Sequence, residues 1–206
     1  MPIQIQPVCC GEIGENAYIA WLKGRDDCVV VDPGDEYPKL RRAIAGKRVS
    51  AILLTHGHFD HIMAAGPMAA ETGAPVYIGR EDAEMLNNAA LNGRLGLMGV
   101  SRMEGPELRA QPFGEALSVA GMDFVILPTP GYSKGSVCLY LPDERTLFSG
   151  DTLFMAGFGR MDLYGGSPSH MRDSLRRLFA LPPDTRVYPG HGMETTIGDE
   201  RSRYRL

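Results

Sequence analysis

The 206-residue sequence is short of several things, and each shortage excludes a class of protein. No apolar run approaches the roughly 18 residues that a membrane-crossing helix needs. The amino terminus has no basic segment followed by an apolar stretch, so no secretory signal is read and a soluble, cytoplasmic protein is expected. Neither sign of charge dominates. Lys and Arg number 21 against 25 Asp and Glu, a net charge of −4, without the surplus of a basic nucleic-acid-binding face. Cysteine is scarce. Of the four, Cys28 and Cys138 lie in strand-like runs and read as packing groups, and the adjacent Cys9 and Cys10 alone are a weak pattern for a redox or soft-metal site. No repeat, low-complexity stretch or Ser/Gly/Pro-rich linker divides the chain, and its length suits one domain over residues 1–206. Hydrophobic residues make up 44%, enough for a sizeable core.

What is present is an interleaving of short apolar strands and helices. Strands are expected at Ala17–Trp21, Cys28–Val31, Val49–Leu54, Val76–Ile78, Phe124–Leu127, Ser136–Leu141, Thr146–Phe148 and Arg186–Tyr188. Helices are expected at Tyr37–Ile44, Ile62–Glu71, Arg80–Asn92 and Ser169–Leu178, the last capped by Ser167 or Ser169. Several strand pairs read as hairpins, so the sheets should be mixed. Four strands run directly into polar or metal-ligating residues: Val31 into Asp32, Leu54 into Thr55 and His56, Phe148 toward Asp151, and Tyr188 toward His191. A rigid sheet that delivers such residues at its strand ends can gather them at one edge.

The run from Thr55 to His61, Thr-His-Gly-His-Phe-Asp-His, holds three of the five histidines. In an extended loop, His56 and His58 project to the same side and can share one cation. Asp60 and His61 open the following helix, where Asp60 could also act as N-cap. Imidazoles with carboxylates and no thiolate suit zinc, iron or manganese, in a catalytic rather than a structural site.

Taken with this run, the stretches Val31-Asp32-Pro33-Gly34, Thr129-Pro130-Gly131, Ser149-Gly150-Asp151-Thr152 and Pro189-Gly190-His191-Gly192 resemble the metallo-β-lactamase superfamily. Gly159-Arg160-Met161-Asp162-Leu163 and Thr195-Thr196-Ile197-Gly198 resemble its short glyoxalase II-type hydrolases. The resemblance implies an αββα four-layer sandwich: two mixed β-sheets flanked by helices, with metal at one edge. It implies a first metal on His56 and His58, a second on Asp60, His61 and His191, and Asp151 bridging them. The family's third first-site histidine is replaced here by Tyr132. Three outcomes stay open: a phenolate ligand for a hard ion, a weakened first site with one metal in the second, or a tyrosine swung aside with water completing the first site. The cofactor implied is zinc, one or two ions, with iron or manganese as alternatives.

The implied activity is hydrolysis of a small thioester or ester. A bound cation brings the pKa of its water to about 7 and polarises the carbonyl. Asp60 would orient the water, and Tyr132 would donate a hydrogen bond to the oxyanion. A persulfide dioxygenase-like iron enzyme is the rival enzyme class, but its chemistry uses the first-site histidines. A flavodiiron role would want a carboxylate at His58 and a flavin domain, and an RNA-processing nuclease a basic exosite. A weakened, metal-binding pseudo-enzyme is the non-enzymatic alternative. No nucleic-acid or membrane partner is expected, and the oligomeric state is left open.

Other residues are weighed individually. Asp32 is read evenly as a residue supporting the metal ligands or as a turn cap. His170 is expected on the surface. Arg160 is expected to pair with Asp162 rather than to bind a substrate carboxylate. The stretch Arg80–Arg109 is the expected cover of the cleft. The chain stops at Leu206, short of the helical domain with which larger glyoxalase II enzymes bind glutathione, so glutathione specificity is not expected.

Overall fold

The computed structural model describes residues 1–92 and 107–204. Its strands form two six-stranded sheets. The first holds β1 (Ile3–Cys10), β2 (Glu15–Leu22), β3 (Asp27–Val31), β4 (Arg48–Leu53), β5 (Val76–Ile78) and β6 (Gln111–Pro112), side by side in that order. Pairing is antiparallel from β1 to β3 and parallel from β3 to β6. The second sheet runs β12 (Thr195–Thr196), β11 (Arg186–Pro189), β10 (Thr146–Gly150), β9 (Val137–Leu141), β8 (Met122–Pro128), β7 (Ala116–Val119). There β10 and β11 are parallel and the other neighbours antiparallel.

Strand alternation sorts the core into three layers. Val29, Val31 and Leu53 of the first sheet meet Phe124, Leu139 and Phe148 of the second. On the opposite face, Val30 and Ile52 pack with Leu40 of helix α1 (Tyr37–Ala43) and Met68 of α3 (Ala65–Thr72). The outer face of the second sheet puts Leu147 and Val187 against Met171, Leu175 and Leu178 of α4 (Pro168–Leu178). The result is helix, sheet, sheet, helix, the metallo-β-lactamase fold that the motifs imply. No helix among the described residues is long and apolar enough to cross a membrane.

Several sequence expectations need correction. The helix expected over Ile62–Glu71 starts earlier, as α2 (Phe59–Ile62), and is interrupted before α3. The Ala64 N–H turns instead to the Pro33 and Gly34 carbonyls, 3.1 and 3.0 Å away, tying the histidine loop to the β3–α1 connection. The helix expected over Arg80–Asn92 is a 3-10 turn at Arg80–Met85 followed by further turns. Its polar side chains bond across to neighbouring loops, as described below. Asp60 is not the N-cap of α2: His58 holds that place without a side-chain cap bond, and Asp60 lies one residue inside the helix. The edge strand β1 escapes notice because Pro7 breaks its pattern, which an edge tolerates. The last helix, α5 (Ile197–Arg203), is short and polar and starts where the Thr196 hydroxyl accepts the Asp199 N–H. For α4, Ser167 is the cap, accepting from the His170 N–H.

Candidate metal centre

Parallel pairing decides where the polar strand ends go. β3 and β4 run together, so Asp32 and the Thr55–His61 loop leave the first sheet at the same edge. β10 and β11 run together in the second sheet, so Asp151 and His191 leave side by side. Hydrogen bonds stitch the two edges together. The Val137 N–H donates to Thr55 O (2.8 Å), the Asn16 N–H to Gly190 O (2.8 Å), and the Tyr18 hydroxyl to Pro189 O (2.7 Å).

All seven site residues expected from the sequence meet there. The His56 ring lies 4.9 Å from His58 and 4.1 Å from His61, centroid to centroid, and His61 lies 5.4 Å from His191. Tyr132 packs edge-on at 4.9 Å from His56 and 4.6 Å from His58. His61 Nε2 is 3.5 Å from Asp60 Oδ2 and 3.4 Å from Asp151 Oδ1. His191 Nε2 is 3.1 Å from Asp60 Oδ2 and 3.8 Å from Asp151 Oδ2. One donor atom each from Asp60, His61 and His191 fall within 4.8 Å of one another. His170 is exposed, as expected.

The donor atoms are orphans. His56 Nε2, both nitrogens of His58, His61 Nε2 and Asp151 Oδ1 are buried with no hydrogen-bond partner. Burying so many unsatisfied lone pairs is costly, and a shared cation removes the cost. The donor set therefore fits a metal. The electrostatics point the same way. Burial opposes a proton on His61, but Asp151, Asp60 and Asp32 outweigh it and raise its pKa well above the ordinary value. Asp151 is buried too, yet His61 and the other imidazoles hold it well below the usual carboxylate range. Burial pushes His58 down to about 4 and holds His56 well below its ordinary value. The carboxylates demand positive charge, and a proton on His61 supplies it when no other cation does.

Behind the donors, Asp32 sets their orientation. Its Oδ1 accepts the Thr55 N–H (2.7 Å), and its Oδ2 accepts the Thr55 hydroxyl (2.6 Å) and faces His61 Nδ1 (3.0 Å). The Thr55 oxygen is then free to accept from His56 Nδ1, 3.0 Å away. Both imidazoles thus hydrogen-bond through Nδ1 and turn Nε2 into the site. Asp32 lies close enough to His56 and His61 to count as a third donor, but its oxygens are committed to these bonds. Gly190 completes the packing: a Cβ there would collide with Asp151 and the His61 ring.

Sequence reasoning missed two carboxyl groups. Glu15 on β2 is buried, neither oxygen has a hydrogen bond, and one lies 3.8 Å from His61 Nδ1. Burial raises its pKa well above the ordinary range. Asp82, in the 3-10 turn, braces two loops. Its Oδ2 accepts the Gly57 N–H (3.0 Å), between His56 and His58, and the Ser133 hydroxyl (2.5 Å). Its Oδ1 accepts the Gly135 N–H (2.7 Å), so the histidine run is tied to the loop that carries Tyr132. Asn92 adds a bond from its amide to Gly57 O (2.7 Å). Asp82→Ala leaves two buried N–H groups and a hydroxyl without this acceptor and is expected to cost about 3 kcal/mol of stability. Chemical denaturation measures it, and Asp82→Asn should recover part of the loss.

The donors open into a cleft of about 520 Å³, whose walls are Ile13, Phe59, Phe154, Gly159, Arg160 and Leu163. Arg160 forms the expected ion pair, with both Asp162 oxygens at 2.7 and 2.6 Å. The described parts of Arg80–Arg109 do not line the cleft, and residues 93–106 lie outside the described residues, so the expected cover falls largely there.

Comparison with known proteins agrees with this geometry. The sequence profile described as the Metallo-beta-lactamase superfamily matches residues 10–191. A "Probable metallo-hydrolase YqgX" of Bacillus subtilis is 37% identical over 94% of this chain and 92% of its own length. A "Hydroxyacylglutathione hydrolase" of Aeromonas hydrophila is 33% identical over 96% of this chain and 69% of its own. Among solved structures, TTHA1623 in a di-iron-bound form superposes with a TM-score of 0.83 at 38% identity, covering 95% of this chain and 96% of that one. The histidine run, the paired sheets and these relatives lead to one conclusion: the chain belongs to the metallo-β-lactamase superfamily of metallo-hydrolases.

Proposed function

We propose that the protein is a metal-dependent hydrolase of a small thioester or ester, with one ion held by Asp60, His61, Asp151 and His191. The observation that carries this reading is the convergence of buried, unpartnered imidazole and carboxylate atoms on one cleft. The all-N/O donor set suits zinc, iron or manganese. Such an ion supplies Lewis acidity and an activated water. The hydroxyacylglutathione hydrolase relative supports thioester chemistry.

The second-site corner is favoured by Tyr132. Burial, and then Asp151 and Asp60, push its phenol far above its ordinary pKa. A protonated phenol is a poor ligand, and His56 and His58 are left as a two-residue corner. In this reading Tyr132 instead donates a hydrogen bond to the negative charge that develops on the carbonyl oxygen. Asp60 orients the water. Asp32, through His61 directly and His56 by way of Thr55, holds the imidazoles still.

The test is elemental analysis of protein purified without chelator, paired with hydrolysis of a simple thioester. About one transition metal per chain and chelator-sensitive turnover are expected. Metal-free protein that hydrolyses nothing after reloading would overturn the proposal and leave the pseudo-enzyme.

A further inference from the structure

The cleft wall is apolar where the donor cluster ends. Ile13, Phe59, Phe154 and Leu163 line it. Ile13 is 42% exposed, and the stretch beyond Phe154 leaves Met155, Phe158 and Tyr164 40, 38 and 37% exposed. Of these, Ile13 lines the cleft, whereas Phe158 packs beside Tyr204 and Tyr164 bonds Lys134 and Glu84. An apolar surface gathered beside polar convergent groups marks a ligand site.

Charge gives an independent argument. Asp60 and Asp151 together balance a divalent cation. Arg160, the sole Lys or Arg among the described lining residues, is matched by Asp162, which grips its guanidinium fork from both oxygens. Lys134 is likewise engaged, with the Tyr164 hydroxyl at 3.0 Å and Glu84 at 3.7 Å. The described walls thus offer no spare positive charge to a ligand bearing carboxylates.

We infer that the cleft takes an uncharged acyl thioester or ester with an apolar acyl chain, and disfavours the same acyl group carried on a multiply charged thiol such as glutathione. The inference rests on the hydrolase reading for turnover but not for binding. Ile13 and Phe154 are the residues that set the preference. Contact with them strengthens binding by about threefold to fourfold for each methylene buried.

The experiment compares acetyl- and hexanoyl-N-acetylcysteamine, both neutral, with hexanoylglutathione, using the metal-loaded protein. Calorimetry separately measures binding of the uncleavable thioether S-hexyl-N-acetylcysteamine. The four extra methylenes of the hexanoyl over the acetyl thioester give an expected kcat/KM about 100-fold higher. Hexanoylglutathione should fall at least about 10-fold below the neutral hexanoyl compound. Ile13→Asp, at an exposed position that tolerates the change, should weaken thioether binding by about 5-fold and shrink the chain-length preference. Phe154→Ala should do the same. A preference for hexanoylglutathione, indifference to chain length, or failure of the thioether to bind would each overturn the inference. Thioether binding without hydrolysis of any thioester would support it while removing the hydrolase reading.

Discussion

Asp151→Asn is expected to cost at least about 100-fold in metal affinity and about a thousandfold in turnover, the scale of losing a ligand rather than a supporting group. The exchange keeps the size of the side chain and removes its charge. In the native protein Asp151 faces His61, His191 and Tyr132 together. It stays ionised in a buried setting because the imidazoles around it outweigh the cost of burial. Without that charge, Asp60 is the remaining carboxylate in the corner. Metal content after dialysis, a competition titration for affinity and thioester turnover measure the effect, with circular dichroism to show that the fold persists. A variant that keeps one metal per chain and loses less than tenfold in turnover would show that Asp151 does not hold the ion.

Tyr132→His carries the second large effect, in the opposite direction. The imidazole would stand beside His56 Nε2 and His58, both of which lack partners, and complete a three-histidine corner. The Tyr132 ring is packed tightly enough that a Cβ on Gly159 would collide with it, and the smaller imidazole relieves rather than adds to that crowding. Metal content is expected to rise from about one to about two per chain, and turnover by about tenfold as a second ion joins the clamp. Tyr132→Phe is the companion variant. It should leave metal content unchanged and lower turnover about tenfold, because the hydrogen-bond donor is gone while the ring remains. A Tyr132→His protein that still takes up one ion would show that His56 and His58 cannot form a site even with a third histidine.

Much of this centre is legible in the sequence. Metal ligation needs a few residue types at close spacing, and the loop from His56 to His61 carries four of them within six residues. Asp151 and His191 are far apart in sequence, and they became legible through strand ends that turn directly into polar residues and through family resemblance. The bracing groups were not legible, for a physical reason. Asp82 lies in the run Arg-Glu-Asp, which reads as a solvated charged face, and nothing in a helical pattern marks a side chain that bonds two other loops. Glu15 is a lone acid in a strand whose neighbours carry the apolar signal. Its burial follows from the way β2 packs under the site, a tertiary fact. The misplaced helices share that origin. Periodicity over Ile62–Glu71 and Arg80–Asn92 is real, but bonds that Ala64 and Asn92 donate to distant carbonyls, and that Asp82 accepts from the Gly57 N–H, win over the local helix.

The hydrogen bonds from Asn16 and Tyr18 to Pro189, Gly190 and Gly192 span more than 170 residues of sequence. They join the β1–β2 hairpin to a loop far along the chain. During synthesis the histidine run emerges early, with its nitrogens exposed, while the groups that finish its enclosure do not yet exist. A nascent chain on the ribosome can therefore build the first sheet but not the ion's cage. If His191 is a ligand, as proposed, it can join the other donors only after it has folded back onto the amino-terminal hairpin.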